Sequence, residues 1–249
     1  MKPLVLCIGG TAPNGPGLSA DEEAVIAAGG RFVGAATAHT QQDDAGVQQL
    51  GARPGWQWRY EALAALAVEN PGALKTGLLP GAEHLTELRG LLGQLRFDAP
   101  GLPWVLDPVV AASSGHVFLD APALEVLLGL LELGPVVCPN LGEAAALTGV
   151  ALEVLAEDPA ARLLAAQRLL ERGAEGVVLK AGHGAEEPLQ ELVWARGEGP
   201  RWLARPRVGG SIRGSGCRHA SHLATGLAKG LPLERAADEA GRWVASLLV

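Results

Sequence analysis

The chain has 249 residues, of which 34 are Gly and 17 are Pro, so these two types make about a fifth of it against ~12% in an average protein. Hydrophobic residues at 48% are too many for a disordered chain, and the Gly and Pro show no three-residue period of the collagen kind. A net charge of −7 with no basic stripe argues against nucleic acid as the main partner. Reading from the start, the apolar run at 4–9 is a strand, and the stretch 1–8, which runs straight into Gly9-Gly10, is too short for the apolar core of a secretion signal. A helix follows at 19–28, then a strand at 32–38 and a polar, Gly-rich stretch at 39–57 that reads as a flap or a sheet edge. Next come a helix at 60–68, a strand at 73–78, a helix at 83–95, and a strand at 104–106. A helix at 122–131, a strand at 136–138, helices at 141–147 and 159–172, and a strand at 176–180 continue the alternation. The stretch 186–207 reads as a hairpin with strands near 192–195 and 202–205, and helices at 216–229 and 233–248 close the chain.

The strands are apolar without polar alternation, which suits strands buried on both faces, and the helices between them suit parallel crossovers. The pattern predicts one α/β domain over residues 1–249, with helices layered on a mostly parallel sheet. The longest apolar runs fall short of eighteen residues, so no membrane span is expected. The three cysteines, Cys7, Cys138 and Cys217, are odd in number and far apart, which suits a reducing, cytoplasmic setting.

Ligands of open parallel sheets bind at the carboxyl ends of the strands. There the sequence gathers Gly10-Thr11-Ala12-Pro13-Asn14-Gly15, His39-Thr40, Lys75-Thr76-Gly77, Asp107-Pro108, Pro139-Asn140-Leu141-Gly142-Glu143 and Lys180-Ala181-Gly182-His183. Taken singly, each has a plainer reading. Asp107-Pro108 is also a turn pair, Asn140 with Glu143 is also a helix capping box, and Lys180 is also a residue leaving the sheet for solvent. Lysine is scarce, four residues beside sixteen Arg, yet Lys75 and Lys180 both fall at strand ends.

The strongest local signal is Gly209-Gly210-Ser211-Ile212-Arg213-Gly214-Ser215-Gly216-Cys217, which opens a helix. A Gly-rich turn feeding a helix N-terminus presents free N–H groups and the positive end of the dipole to an anion. Arg213 and Arg218 flank it, where cations are unfavourable by ~0.3–1 kcal/mol unless an anion is present; the alternative is an ordinary turn with two solvated Arg. Cys217 in the first helical turn is expected to have a lowered thiol pKa, or else to be a small buried apolar residue like Cys7 and Cys138. A zinc site from Cys217, His219 and His222 is disfavoured, because Cys217 and His219 point about 200° apart around a helix. Neither a Gly-x-x-x-x-Gly-Lys phosphate loop nor a dinucleotide fingerprint after the first strand is present.

Together and in order, these motifs resemble the ribokinase-like superfamily, in particular its hydroxymethylpyrimidine/phosphomethylpyrimidine kinase branch. The likeness is carried by the first Gly-rich loop running on to Asp21, by Lys75-Thr76-Gly77-Leu78, and by Asp107-Pro108-Val109-Val110 with Ser114-Gly115. It continues through Pro139-Asn140-Leu141-Gly142-Glu143, Leu179-Lys180-Ala181-Gly182-His183 and Gly214-Ser215-Gly216-Cys217. The resemblance implies a three-layer α/β/α sandwich that uses ATP and Mg²⁺ to phosphorylate a hydroxymethyl group in thiamine biosynthesis, as a homodimer. It implies an anion hole from Gly214, Ser215 and Gly216, and Cys217 where the catalytic base stands. Asp107 and Glu143 would organise the metal, and Lys180, Asn140, Glu143 and Arg213 the nucleotide. Gly10, Asp21, His39, Leu78 and Val109 would line the substrate. The chain departs from the family at Ala12 for Asp, His39 for Gln, Ser113 for Lys, Arg213 for His and Arg218 for Thr. A pyridoxal-type kinase, a non-catalytic ligand-binding member of the fold and a thiol hydrolase built on Cys217 remain alternatives.

Overall fold

Strand β1 (Leu4–Thr11) sends alternate side chains to opposite faces, and both faces are apolar: Val5 and Cys7 on one, Leu6 and Ile8 on the other. This pattern recurs along the sheet and explains the two cores of the fold. The computed structural model describes residues 1–249 except 14–15, 44–45, 113–114, 181–186, 211 and 249. The N-terminal half continues with α1 (Leu18–Ala27), β2 (Arg31–Asp43), β3 (Gly46–Ala52), α2 (Gly55–Leu66), β4 (Ala73–Thr76), α3 (Ala82–Asp98) and β5 (Trp104–Leu106). The C-terminal half adds α4 (Ala121–Leu130), β6 (Val136–Val137), α5 (Leu141–Thr148), α6 (Leu152–Glu157), α7 (Pro159–Glu171), β7 (Gly176–Leu179), β8 (Leu189–Ala195), β9 (Arg201–Arg205), α8 (Ser215–Ala228) and α9 (Leu233–Ser246).

Among the described residues these strands join one sheet in the order β3-β2-β1-β4-β5-β6-β7-β8-β9. The run from β2 to β7 is parallel, and both edges are antiparallel hairpins. Helices α2 to α7 cover one face around Leu74, Trp104, Leu106 and Leu179. Helices α1, α8 and α9 cover the other around Val105, Val178 and Val193. The expected three-layer α/β/α sandwich is therefore present. Among the described residues no helix is long and apolar enough to cross a membrane.

Some expectations need correction. The stretch at 39–57 is an edge: β2 runs on to Asp43, and β3 pairs back onto it. An antiparallel hairpin leaves one side in water, so its Gln-rich sequence carries no apolar signature. Helix α2 begins at Gly55 rather than at 60, because Glu83 accepts from the Gly55 N–H (3.0 Å) and Trp58 is fully buried. The short α6 was not expected. Its end is tied by the buried Arg162, whose guanidinium donates to the carbonyls of Leu155 (2.7 Å) and Ala156 (3.0 Å). The 186–207 stretch does form a hairpin, β8 with β9.

Caps set several boundaries. Asp120 accepts from the Ala123 N–H and Asp158 from the Ala160 N–H, each worth ~1 kcal/mol. On α9, the guanidinium of Arg205 lies against Gly241, where any Cβ would fall 2.3 Å from its central carbon. That contact lets Arg205 pair with Asp238 (3.2 Å) and face Glu191 (3.6 Å), and so joins the β8–β9 hairpin to α9.

Candidate active site

Backbone pairing brings the strand ends together. The Asp107 N–H donates to Thr76, the Cys138 N–H to Leu106, and the Lys180 N–H to Pro139, each at 2.9 Å. Asp107, Asn140 and Lys180 thereby stand side by side at the carboxyl edge. Asn140 begins α5 with a reciprocal capping box: its Oδ1 accepts from the Glu143 N–H, and Glu143 Oε2 accepts from the Asn140 N–H, both 2.8 Å. The capping box is present, and it fixes the Glu143 carboxylate within charge reach of Lys180 and Asp107.

The Gly-rich turn arrives from the far end of the chain. Gly214 is the N-cap of α8 at φ 76°, and a Cβ there would sit 2.4 Å from the Pro16 Cβ. Only glycine meets both demands. Ser215 and Gly216 begin the helix, and first-turn N–H groups have no intrahelical acceptor. A Cβ on Gly216 would lie 3.2 Å from Lys180 Nζ and 3.8 and 4.0 Å from the Asp107 oxygens. The turn, the lysine and the carboxylate therefore converge on one small volume. Lys180 Nζ donates to Asp107 Oδ1 at 3.0 Å, so its charge is paired at the sheet edge instead of being lost to solvent.

Arg218 has a partner of another kind from the one expected. Its Nη2 and Nε meet Glu23 Oε2 at 2.6 and 3.0 Å, and its Nη1 donates to the Arg213 carbonyl at 2.7 Å. It clamps the turn to α1, while the Arg213 side chain is exposed at the rim. Cys217 also differs from expectation. Burial is the largest cause pushing its thiol up to about 12; Lys75 and Lys180 oppose the rise and Asp107 and Asp21 add to it. The thiol lies within charge reach of Asp107. A dipole and a nearby Arg favoured the thiolate in sequence terms, but enclosure beside two carboxylates outweighs them. Cys217, His219 and His222 serve three separate partners. Cys217 faces Asp107, His219 Nε2 lies 3.4 Å from Glu191, and His222 stacks on Trp243 at 5.2 Å.

The remaining site residues lie toward the β1 side. Leu78 fills the space a Gly10 side chain would need, 2.8 Å from its Cβ position, and the Leu78 carbonyl accepts from Thr37 Oγ1 at 2.6 Å. His39 is exposed and pairs in register with Thr11. Val109 borders an apolar crevice with Gly77, Leu79 and Leu119. Asp21 is fully buried on α1, beneath this edge, where Oδ1 accepts from Lys75 Nζ (2.8 Å) and Ser221 Oγ (2.7 Å). The sequence reading gave no role to Lys75, Glu191 or His219. For Lys75 the signal was already visible in the scarcity of lysine. The motif residues Ser113, Ser114 and 181–183 lie outside the described residues.

Charge in the site is balanced. Burial alone would raise the Asp107 carboxyl, but Lys180 and Lys75 hold it below the usual carboxylate range. Glu143 goes the other way: burial pushes it up to about 7, Lys180 pulls it down and Asp107 adds to the rise. A carboxyl whose folded pKa exceeds its unfolded value of 4.5 stabilises the fold fully below pH 4.5, and that contribution is lost as pH rises through 7. At ~1.4 kcal/mol per pH unit between 4.5 and 7, the loss is on the order of 3 kcal/mol. Glu143→Gln keeps a capping-box partner at this position and removes the titration. Denaturant unfolding at pH 4.5 and 7.5 is expected to show the unaltered protein losing that much stability relative to the variant. An equal response to pH in both would refute it.

A Gly-rich turn at a helix start, a lysine and two carboxylates, all at the carboxyl edge of a three-layer sandwich, fit a ribokinase-like phosphotransferase. Residues 12–249 match the family model described as phosphomethylpyrimidine kinase. The chain belongs to that family. It is 36% identical over 250 residues to a hydroxymethylpyrimidine/phosphomethylpyrimidine kinase of Streptomyces coelicolor, covering 97% of this chain and 87% of that one. It is 32% identical over 249 residues to a thiamine biosynthesis multifunctional protein of Corynebacterium efficiens, of which the match covers 32% and of this chain 98%. Among solved structures, a pyridoxal kinase from Staphylococcus aureus in complex with ADP superposes with a TM-score of 0.86 at 26% identity, over 100% of this chain and 88% of that one.

Proposed function

We propose that the protein transfers the terminal phosphoryl group of ATP to the hydroxymethyl group of hydroxymethylpyrimidine, of its monophosphate, or of both, in thiamine biosynthesis. The observation that carries this is the convergence of Gly216, Lys180 and Asp107 within 4.0 Å at the end of the sheet. Phosphoryl transfer needs little covalent chemistry from a protein, mainly positioning and charge neutralisation. The N–H groups of the α8 turn receive the phosphate oxygens, and Lys180 shares its charge between them and Asp107. Arg213 at the rim reaches the nucleotide, and Asn140 holds Glu143 in place beside it.

Mg²⁺ fits the donors present. It is a hard cation that takes one or two carboxylates and completes its shell with water and phosphates. Asp107 and Glu143 are within charge reach of one another, and each has one oxygen engaged by a protein donor, Oδ1 by Lys180 and Oε2 by the Asn140 N–H. When bound, the ion neutralises charge on the phosphate oxygens. Gly10, His39, Leu78 and Val109 line the acceptor side, with Asp21 beneath it. Cys217 enters the reaction as a thiol beside Asp107, kept protonated by burial, so it orients the acceptor and does not remove its proton. A homodimer, as the resemblance implies, in the reducing cytoplasmic setting that the three cysteines suit, belongs to the same proposal.

The likeness to the Staphylococcus aureus pyridoxal kinase supports a second reading, with a pyridoxal-type acceptor, at a site where His39 replaces the family's glutamine. Coupled ADP release with hydroxymethylpyrimidine, its monophosphate and pyridoxal separates the readings. Release with either pyrimidine is expected. Release with pyridoxal alone would replace the first reading by the second, and tight binding without release would make the protein a non-catalytic member.

A further inference from the structure

Two of the four lysines end beneath glycines at the sheet edge, with Asp107 between them. Lys180 Nζ lies 3.2 Å from where a Gly216 Cβ would stand, and Lys75 Nζ lies 2.8 Å from where a Gly77 Cβ would stand. Lys75 is only 1% exposed, and its ion-pair partner Asp21 is 0% exposed. Its backbone neighbours across the sheet are Cys7 and Val105, both fully buried, so the slot is apolar on either side. A buried ion pair is seldom more stabilising than apolar residues of the same size. The fold therefore gains little from a lysine here. Burial works against its charge, but Asp21, Cys217 and Asp107 outweigh burial and keep the ammonium protonated above its ordinary range. Asp21 Oδ1 also accepts from Ser221, which anchors the pair to α8 just below the anion turn.

We propose that Lys75 is a positioning residue for phosphoryl transfer: its ammonium, held by Asp21 under Gly77, supplies fixed positive charge on the acceptor side of Asp107, as Lys180 does on the nucleotide side. It rests on the kinase reading given above. In the reaction the acceptor oxygen bonds to phosphorus, the bridging oxygen of ATP leaves with the electron pair of the broken P–O bond, and the hydroxyl proton is released to water. Lys75 neither gives nor takes a proton. Acting through Asp107 and Cys217, it lowers the cost of negative charge as the group passes between the two cations.

Lys75→Met alone leaves Asp21 buried without its partner and risks misfolding, so the decisive variant is Lys75→Met with Asp21→Asn, which removes both charges and keeps their shapes. Ser221→Ala perturbs the same network and keeps the cation. The double variant is expected to lose about 30- to 100-fold in kcat, with the KM for ATP within about threefold. It should also lose the preference for ADP with aluminium fluoride, a mimic of the transferring group, over ADP alone. Ser221→Ala should stay within about twofold in kcat. A double variant within about threefold in kcat overturns the proposal. So does a loss confined to the KM of the acceptor, or an equal fall in Ser221→Ala. An unaltered protein that releases no ADP fails the kinase reading and this inference with it; full kcat in the double variant overturns the inference alone.

Discussion

Asp107→Ala is expected to lower kcat about a thousandfold at saturating ATP and Mg²⁺. At ~1.4 kcal/mol per tenfold this is ~4 kcal/mol of transition-state stabilisation, in the range that loss of one preorganised electrostatic group produces. Asp107 is 2% exposed and lies at the meeting point of Lys180, Lys75 and Cys217. Its removal takes away the carboxylate proposed to organise the metal and the acceptor that holds Lys180 at 3.0 Å. It also leaves Lys180 without its ion-pair partner. Breaking a buried pair costs ~3–5 kcal/mol when the remaining charge is stranded. Lys180 still has Glu143 and Glu191 within charge reach, so the stability cost is expected nearer 1–3 kcal/mol. Asp107→Asn separates charge from shape: it keeps the volume and a hydrogen-bonding oxygen and should lose nearly as much kcat. Steady-state ADP release with denaturant unfolding on both variants decides it. An alanine variant within tenfold of the unaltered kcat would remove Asp107 from the phosphate machinery.

The same residue shows how far the sequence could be read. Asp107 follows Trp104–Leu106, an apolar run whose boundaries match the strand observed. Buried parallel strands are short and uninterrupted, so such runs stand out from the Ala/Leu-rich helices between them. The fold and the gathering of Asp107 and Lys180 at one edge follow from that alternation and from the rule that sites lie at carboxyl ends; the place of Gly216 beside them came from the family resemblance. What stayed hidden depends on contacts between distant residues. The β3 edge has polar residues because water covers it. Arg218 meets Glu23, far away in the chain, and this turns an apparent phosphate ligand into a clamp. The ionisation of Cys217 depends first on burial and then on Lys75 and Asp107, which the helix containing Cys217 does not reveal. Lys75 looked like a motif letter, and only the packing shows its ammonium beneath Gly77.

Gly216→Ala is expected to separate activity from stability. Gly216 is the second residue of α8, and its φ is not among the positive values of the chain, so alanine fits the backbone. In a helix, alanine is favoured over glycine by ~0.5–1 kcal/mol. The added methyl would stand 3.2 Å from Lys180 Nζ, closer than an ordinary van der Waals contact, and 3.8 Å from Asp107 Oδ1. Lys180 is the end of a flexible chain and can retreat by a few tenths of an ångström, so the fold need not suffer. Its retreat lengthens the pair with Asp107, and the methyl fills the volume into which the transferring phosphoryl must come. Stability is therefore expected to hold or to rise by up to ~1 kcal/mol, while kcat falls about a hundredfold, or ~2.7 kcal/mol. Unfolding curves and kcat measured on one preparation test both halves. A variant that is both stable and fully active would place the phosphoryl group elsewhere than the turn of α8. A variant that loses stability with activity would mean that Lys180 cannot yield, and that its pairing with Asp107 is part of the fold as well as of the site.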